Sequence, residues 1–345
     1  MNTKAIFALL PFAAIFAGCS KDDDKQAPAD MQSIRFSVTV PNVPRGVATT
    51  TQSIQEFTTW AFTGGEPYMS NVKVLKNDKN EWGYSPTHFW PADASLNFYS
   101  YSPDITTSQP VSAENPDIPG FNSPGNIDLL YGVNMDVSGK TDKQVNVNFR
   151  HALSQIRLYL RKQPKSVSGV EIAVKISEIT VMNVATTGSF NFPRETTSST
   201  STTVGEWVTT TDDGNINILS NSSMDLGDEF AEYRNTENVF AIPQTLSPTT
   251  ATATTYSGSY IRVLCKITNP SGITIWPSES DPNFVNAENG GYIVFPLTTD
   301  TNDTWELGRE YRYSLTIGVP SSTDRISFDV TVDEYKDFIN LPGEN

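Results

Sequence analysis

The sequence predicts an all-β protein made of antiparallel sheets stacked as sandwiches, and three observations lead to that fold class. Apolar and polar residues alternate with a period of two in many segments, as in strands with one buried and one solvated face. No window of comparable length carries the apolar stripe of an amphipathic helix. The chain has 345 residues, of which 37% are hydrophobic, so it is long enough to form two domains with sizeable cores.

The alternation defines the individual strands. It is clearest in residues 34–40, 145–150, 156–161, 311–317 and 326–332, with shorter candidates at 57–62, 72–75, 96–101, 129–133, 239–242, 260–267 and 292–297. In residues 172–181 the apolar positions change from even to odd numbers, which predicts a β-bulge or a break near Ser177 and Glu178. Residues 102–125 and the Ser/Thr-rich segment 196–203 are interpreted as loops outside any packed core.

The strand pattern also suggests where the two predicted sandwiches meet. We place the boundary before Val145, because residues 145–161 and 170–183 have the pattern of neighbouring strands in one sheet. The chain then divides into a signal peptide, an acidic tether, an N-terminal sandwich and a C-terminal sandwich, which cover residues 1–18, 19–30, 31–144 and 145–345.

The chain begins with a segment typical of protein export. Lys4 precedes the apolar run 5–16, which is too short to span a bilayer but has the length of the apolar region of a secretory signal. The small residues before Cys19 resemble a bacterial lipobox, in which Cys19 would be acylated and become the new N-terminus. Phe16 replaces the usual leucine of that motif, and cleavage by an ordinary signal peptidase is the alternative.

The segment that follows Cys19 is strongly charged. Residues 19–30 include Asp22, Asp23 and Asp24 and are too rich in charge, proline and alanine to pack into a core. They are interpreted as a solvated tether between the lipid and the folded part. An acidic stretch in this place also resembles the surface-export signal of bacterial outer-membrane lipoproteins, which implies exposure on the cell surface.

The composition argues against nucleic acids, metals and disulfides as the basis of function. With 24 Lys and Arg against 39 Asp and Glu, the net charge is -15, and so acidic a chain would repel a phosphate backbone. Two cysteines and two histidines are too few for a disulfide framework or a four-ligand zinc site. Cys265 alternates with Val263 and is interpreted as a small buried hydrophobe. We therefore expect no cofactor and no metal.

Candidate catalytic residues are few, and the protein is predicted not to be an enzyme. His151 is expected to be a hydrogen-bonded structural histidine, and His88 a loop residue packed among aromatic side chains. No GxSxG, phosphate-binding glycine loop, HExxH or calcium-loop motif occurs. Trp60, Trp90 and Trp305 could stack on sugar rings, but they lie in or beside predicted strands, where core packing is the commoner role.

Seven short motifs occur in order along nearly the whole mature chain. They are WGY at 82–84, HFWP at 88–91, LNFYSYSP at 96–103, DLLYG at 128–132, FRHALSQI at 149–156, FAIPQTL at 240–246 and WELGREYRY at 305–313. Together with the lipobox, this ordered set resembles the fimbrillin-like proteins of Bacteroidetes-type bacteria.

The resemblance implies a fold, a function and a set of partners. It implies two transthyretin-like antiparallel β-sandwich domains in tandem and a role as a type V pilus subunit. Such a subunit is exported as a lipoprotein, cut by an Arg-specific protease and polymerised by donor-strand exchange. The implied partners are other fimbrial subunits and the outer membrane, reached through lipid on Cys19, with a host protein or glycan as a candidate receptor.

The first and last long strands of the sequence offer an independent argument for strand exchange. Their predicted buried faces carry the same four side chain types in the same order, which are Ile34, Phe36, Val38 and Val40 in the first strand and Ile326, Phe328, Val330 and Val332 in the last. The last strand of one copy could therefore replace the first strand of another. Alternatively, residues 326–332 complete their own domain, and residues 334–345 form the exchangeable tail.

The best candidate for the protease cut is the bond between Arg45 and Gly46. This bond lies in a turn-rich segment just after the first strand, where a protease can reach extended backbone, whereas Arg35 lies inside the predicted strand. The sequence thus favours a structural and adhesive subunit of a cell-surface fimbria. The alternatives are a monomeric surface lipoprotein that binds glycans and a tip or anchor subunit of the pilus.

Overall fold

The structure, a computed structural model, describes eleven ranges of the chain and gives only the backbone of the last one. These are residues 32–40, 49–105, 111–123, 125–165, 169–198, 201–210, 213–232, 238–252, 255–299, 302–320 and 328–334. Every named element in these ranges is a β-strand, which confirms the all-β fold class.

The strands follow one another through both halves of the chain. In chain order they are β1 (Phe36–Thr39), β2 (Glu56–Thr63), β3 (Glu66–Lys76), β4 (Trp82–Gly83), β5 (Leu96–Ser102), β6 (Asp117–Asn122), β7 (Leu130–Val137), β8 (Val145–Asn148), β9 (Arg150–His151), β10 (Ser154–Lys162), β11 (Ala173–Val184), β12 (Thr187–Asn191), β13 (Glu206–Thr209), β14 (Gly214–Leu219), β15 (Met224–Asp225), β16 (Ala231–Glu232), β17 (Phe240–Ala241), β18 (Gln244–Thr245), β19 (Thr250–Ala251), β20 (Tyr256–Ser257), β21 (Tyr260–Thr268), β22 (Thr274–Trp276), β23 (Phe284–Asn286), β24 (Gly290–Pro296), β25 (Thr304–Trp305), β26 (Arg309–Ile317) and β27 (Phe328–Glu334).

The N-terminal half contains a six-stranded antiparallel sheet whose central strands, β2, β5 and β7, are buried on both faces. Its strand order is β4-β3-β2-β5-β7-β9. One face carries Phe57 and Phe98 into a first core, and the opposite face carries Trp60 and Tyr99 into a second core. Because successive side chains of a strand point to opposite faces, β2 is buried along six consecutive residues. The prediction of one buried and one wet face is therefore wrong for these central strands, whereas β3 alternates buried and exposed residues over 72–75 as predicted.

A three-stranded sheet in the order β13-β12-β6 covers the second core. The ring centroid of Phe190 in β12 lies 4.7 Å from that of Tyr131 in β7. The ring of Trp207 in β13 lies 5.3 Å from Phe190 on its other side. This sheet pairs β6, which precedes Val145, with β12, which follows it.

Strand β6 corrects the interpretation of residues 102–125 as a loop. Its Ile118 is fully buried in the second core. Gly120 has a φ of 64° beside a shift in the register between β6 and β12. The glycine and the preceding proline therefore mark a β-bulge within a strand, a role that composition cannot distinguish from that of a loop.

Part of the Ser/Thr-rich segment 196–203 also belongs to the packed structure. Thr197 is fully buried, and its backbone N–H donates to the carbonyl of Val133 at 2.9 Å. Its hydroxyl donates to the carbonyl of Asn148 at 2.6 Å. The interpretation as an outlying loop is therefore wrong for Thr197, because a threonine hydroxyl can satisfy strand backbone as well as solvent.

The C-terminal half forms a sandwich around a third core. One sheet has the order β14-β11-β21-β24-β23, and the other has the order β16-β10-β26-β27. The register between β11 and β21 shifts between Ile176 and Glu178, which leaves Ser177 as the extra residue and confirms the predicted bulge. Because of this extra residue, Ile176 and Ile179 both reach the same core.

Two strand pairs are parallel, although the sequence predicts antiparallel sheets. Strand β1 pairs in parallel with β8, and β10 pairs in parallel with β26. Parallel neighbours need a long connection, and both pairs join strands that are distant in the chain. A period-two pattern is the same for either direction, so the direction of these pairs is not readable from it.

A buried hydrogen bond in the third core gives a test of the fold. The indole N–H of Trp305 donates to the hydroxyl of Tyr313 at 2.7 Å. Burial raises the pKa of Tyr313, so the phenol stays protonated. We expect Tyr313→Phe to lower the free energy of unfolding by ~1–3 kcal/mol, because the buried indole N–H loses this acceptor.

Urea unfolding followed by tryptophan fluorescence measures this change. The control is Tyr256→Phe, which removes a hydroxyl bonded to Asn283 at a half-exposed position. We expect the control to change stability by less than about 0.5 kcal/mol. Equal losses in the two variants would contradict the assignment.

Candidate functional site

The strand predicted to be exchangeable lies at the first core of the N-terminal half. Ile34, Phe36 and Val40 are 2%, 5% and 3% exposed, and Val38 packs against the same core while partly exposed. We call residues 32–40 the leading segment and the surface that it covers the groove. Within the described ranges, the leading segment thus packs its side chains into the first core.

Aromatic side chains form the deepest part of the groove. The ring centroid of Phe36 lies 5.5 Å from Phe57, 5.5 Å from Tyr84 and 6.0 Å from Phe98, each in an edge-on arrangement. Such pairs contribute ~0.5–1.5 kcal/mol beyond the burial of their area. Phe36 is therefore the main anchor of the leading segment.

Strand β8 forms one side of the groove. It pairs with β1 in parallel over four registered residue pairs. At the two ends of this ladder, Val145 N–H donates to the carbonyl of Arg35 at 2.7 Å, and Phe149 N–H donates to the carbonyl of Thr39 at 2.8 Å. Among the described strands, none other than β1 pairs with β8.

The other side of the groove contacts the start of the leading segment. Ile34 N–H donates to the carbonyl of His88 at 2.9 Å, and Trp90 N–H donates to the carbonyl of Gln32 at 3.0 Å. The hydroxyl of Tyr84 donates to the carbonyl of Ile34 at 2.8 Å. The ring of His88 stacks near that of Tyr84, which confirms its predicted place among aromatic side chains, and burial lowers its pKa.

Separate polar groups hold the two residues that flank segment 41–48. The hydroxyl of Thr51 accepts from Val40 N–H at 2.7 Å and donates to the Val40 carbonyl at 2.8 Å. On the other flank, Thr49 N–H donates to Oδ2 of Asp128 at 2.7 Å. Asp128 Oδ1 lies 2.8 Å from Nδ1 of His151, and this pair is nearly fully buried. His151 thus has the structural role that the sequence predicts.

Five of the sequence motifs meet at the groove, where WGY and LNFYSYSP supply the rings of Tyr84 and Phe98. The HFWP motif supplies the backbone that pairs with the start of the leading segment, and the FRHALSQI motif begins where β8 ends. The DLLYG motif supplies Asp128 and ends at Gly132, where an added Cβ would lie 2.6 Å from Cγ1 of Val147. Glycine at this position therefore allows β8 to approach β7 closely.

The last strand, β27, lies at the edge of the C-terminal sandwich. It pairs with β26 over seven registered residue pairs, and β26 pairs with β10 on its other side. The predicted donor residues Phe328, Val330 and Val332 belong to this strand. The remaining predicted site residues, which are Ile326, Cys19, Arg45 and Gly46, lie outside the described residues. The leading segment and β27 therefore pair with different strands in different sheets.

The described residues do not bring candidate metal ligands together in one place. No group of three or more His, Cys, Asp or Glu side chains in these ranges is arranged to hold a metal ion. Cys265 is fully buried, as predicted, and burial raises the pKa of its thiol. In the same ranges, no helix is both long and apolar enough to cross a membrane.

The six tryptophans pack against other residues of the protein. Four of them, Trp60, Trp90, Trp276 and Trp305, are at most 8% exposed. Trp82 lies with its ring centroid 5.3 Å from that of Phe57. Trp207 donates its indole N–H to the carbonyl of Ala152 at 2.6 Å. These environments favour the packing role over an exposed platform for sugar rings.

The chain belongs to the fimbrillin-like family, whose model matches residues 45–334. The match spans β2 to β27 and all seven motifs, and it confirms the family that the ordered motifs predict. Membership supports a role as a fimbrial subunit that associates with other such subunits at the cell surface. Among curated proteins, none matches the chain significantly.

The solved structures to which the chain is similar come from Bacteroides and Porphyromonas species. A fimbrial protein from Bacteroides vulgatus ATCC 8482 is 15% identical, with a TM-score of 0.51 over 88% of this chain and 99% of that chain. A candidate cell adhesion protein from Bacteroides uniformis ATCC 8492 is 14% identical, with a TM-score of 0.49 over the same shares. The fimbrial anchor protein Mfa2 from Porphyromonas gingivalis is 9% identical, with a TM-score of 0.36 over 88% of this chain and 98% of that chain. The likeness to the B. vulgatus protein is one of fold.

Sequence reasoning missed the polar residues that position the groove. Asp128 belongs to a recognised motif, and an acidic residue directly before the apolar run LLY is a signal that it could be paired in the interior. Thr51 has no comparable signal, because threonine is common in this chain and its partner, Val40, offers only backbone atoms. Thr51 bonds to Val40 across segment 41–48, which contains the predicted cut, and Asp128 holds Thr49 at the far end of that segment.

The Thr51 hydroxyl gives a test of how the leading segment is held. We expect Thr51→Val to lower the free energy of opening of the leading segment by about 1 kcal/mol, because both hydrogen bonds to Val40 are lost. Hydrogen exchange of residues 32–40 measures this opening. The control is Thr50→Val, because the Thr50 hydroxyl bonds within a turn to Ser53 and not to the leading segment. Faster exchange in the control alone would contradict the assignment.

Gly132 gives a second test, which concerns β8. We expect Gly132→Ala to destabilise the fold by ~1–3 kcal/mol, because the added methyl group overlaps Val147 and displaces β8. Thermal unfolding measures the change. Gly83→Ala is the matched control, since an added Cβ there meets nothing within 4 Å. A normal melting temperature for Gly132→Ala would show that β8 does not depend on this close approach.

Proposed function

We propose that the protein is a structural and adhesive subunit of a cell-surface fimbria that assembles by protease-triggered donor-strand exchange. In this proposal, Cys19 carries the lipid that anchors the exported precursor in the outer membrane. Proteolysis between Arg45 and Gly46 then separates the leading segment from the rest of the chain. The observation that carries the proposal is that the leading segment completes the first core yet precedes the proposed cut, so only non-covalent contacts would retain it.

The energetics of the groove favour replacement once the leading segment departs. Full burial of an aliphatic or aromatic side chain contributes ~1.5–3 kcal/mol, so losing three such side chains and the partly buried Val38 would expose a large apolar surface. The N–H groups of Val145 and Phe149 would also lose their acceptors. A strand from another subunit would restore both kinds of contact. Because donor and acceptor surfaces differ, the contact would propagate as a fibre rather than close as a dimer.

We place the donor within residues 326–345, where two segments compete. The first is residues 326–332, with Ile326, Phe328, Val330 and Val332 as the side chains that would fill the groove. Strand β27 would then have to leave a ladder of seven registered pairs with β26, whereas the groove offers four with β8. The second is the tail 334–345, whose donation would cost that ladder only its end pair, Glu334 with Arg309. The ladder comparison favours the tail.

We further propose that the two halves correspond to transthyretin-like sandwiches that divide near Val145. The separate cores support a division a few residues past this position, since one cluster draws on residues 34–149 and another on residues 156–317. The sheet of β6, β12 and β13 would then join the two domains. This arrangement would leave the groove in the first domain and the donor at the end of the second.

Replacement of Arg45 tests the proposed assembly. Treatment of the full chain with an Arg-specific protease is expected to give a product that begins at Gly46 and forms filaments visible by electron microscopy. Arg45→Ala is expected to abolish both, because the covalent link to the leading segment then persists. Arg35→Ala serves as the control and is expected to behave as the unchanged protein. Filaments that form from a chain with an intact N-terminus would overturn the proposal.

A further inference from the structure

Strand β8 has one edge in the groove and one edge turned towards β7. In a strand, the backbone groups of alternate residues point to opposite edges. The N–H groups of Val145 and Phe149 bond to the leading segment, so the groups of Asn146 and Asn148 point away from it. No strand within the described ranges pairs with β8 along this second edge.

Two side chains occupy that second edge. Nδ2 of Asn134, in β7, donates to the carbonyl of Asn146 at 2.8 Å. The hydroxyl of Thr197 donates to the carbonyl of Asn148 at 2.6 Å and accepts from Val133 N–H, in β7, at 3.0 Å. The two side chains therefore bridge β7 and β8 where backbone pairing is missing.

We infer that Asn134 and Thr197 are positioning residues that keep β8 in place as the acceptor strand when the leading segment departs. This inference rests on the proposed exchange of that segment. Once β1 has left, β8 would have lost its pairing with a described strand. The remaining constraints would be these two side-chain bridges, the short pairing of β9 with β7, and the buried side chains of Val145 and Val147.

Thr197 also connects the acceptor strand to the covering sheet. It lies in the Ser/Thr-rich segment between β12 and β13. Ser201 lies further along this segment, and its carbonyl accepts from Nη1 of Arg150 at 3.2 Å. Arg150 lies just past the end of β8. The segment is thus fixed at two points beside β8. Its role would be to keep the groove ready for a donor strand.

The first experiment measures β8 in the intact full-length protein. We expect Thr197→Val to increase hydrogen exchange in residues 145–149 by about tenfold, because the carbonyl of Asn148 loses a buried donor. Thr196→Val is the matched control, since its hydroxyl accepts from Met135 N–H in β7. We expect the control to change exchange in residues 145–149 by less than about twofold.

Two further variants guard against a general loss of stability. Asn134→Leu removes the other bridge at nearly constant volume, and we expect it to increase exchange in the same residues. Thr197→Ser keeps the hydroxyl and is expected to restore slow exchange. Exchange in the third core, measured in residues 154–162, serves as the internal reference. Equal exchange in residues 145–149 for Thr197→Val and Thr196→Val would overturn the inference.

The second experiment measures the groove after cleavage with an Arg-specific protease. The probe is a synthetic peptide with the sequence of residues 326–345, which contains no arginine. We expect the cleaved Thr197→Val protein to capture the peptide about tenfold more weakly than the cleaved Thr196→Val protein. Equal capture by both variants would overturn the inference. If the unchanged protein captures no peptide, the proposed donor-strand exchange is wrong. The hydrogen-exchange data on the intact chain still decide whether Thr197 positions β8.

Discussion

The N-terminal core depends on the mutual support of the leading segment and β8. Strand β8 carries Val145 and Val147 into that core, yet its main-chain ladder is shared with β1 and with no other described strand. The leading segment in turn inserts Phe36 among three aromatic rings. Each strand is therefore stabilised by the other, and the core between them is complete only when both are present.

The two-sided burial of the N-terminal sheet ties the groove to the rest of the molecule. The sheet that forms the bottom of the groove presents its opposite face to β6, β12 and β13, which belong to both halves of the chain. Tyr131 packs against Phe190 within this second core, one residue before Gly132 faces β8. A change in the covering sheet would consequently affect β8 through β7.

Much of the fold could be predicted from the sequence, because its signals are local. Alternation located most of the long strands and the inward side chains of β1, although it missed β6, β12, β13 and β14. The change of phase in β11 located the bulge at Ser177. The two-sided burial of β2 was missed, because threonines that look solvent-facing in the sequence lie buried, as Thr58 and Thr59 do. Strand direction was missed because periodicity does not depend on it.

The groove was predicted only in part, for a related reason. The apolar residues of the leading segment were identified from their pattern, but the groups that hold them are polar and distant in sequence. Asp128 and Thr49 are 79 residues apart, and Thr197 and Asn148 are 49 apart. Hydroxyl and amide groups that bond to backbone do not recur at a regular spacing in the sequence, so periodicity does not identify them. The Ser/Thr-rich composition around Thr197 gave no indication of its role.

The grip of Thr51 on Val40 has a consequence for the timing of assembly. Cutting the chain in segment 41–48 would leave this grip, the β8 ladder and the aromatic contacts of Phe36 intact, so scission alone would not empty the site. In the proposed assembly, a cleaved precursor would stay folded until an incoming chain end displaces the leading segment. Subunit stocks could then be matured well before growth begins, with the arrival of an incoming chain end deciding when each one is used.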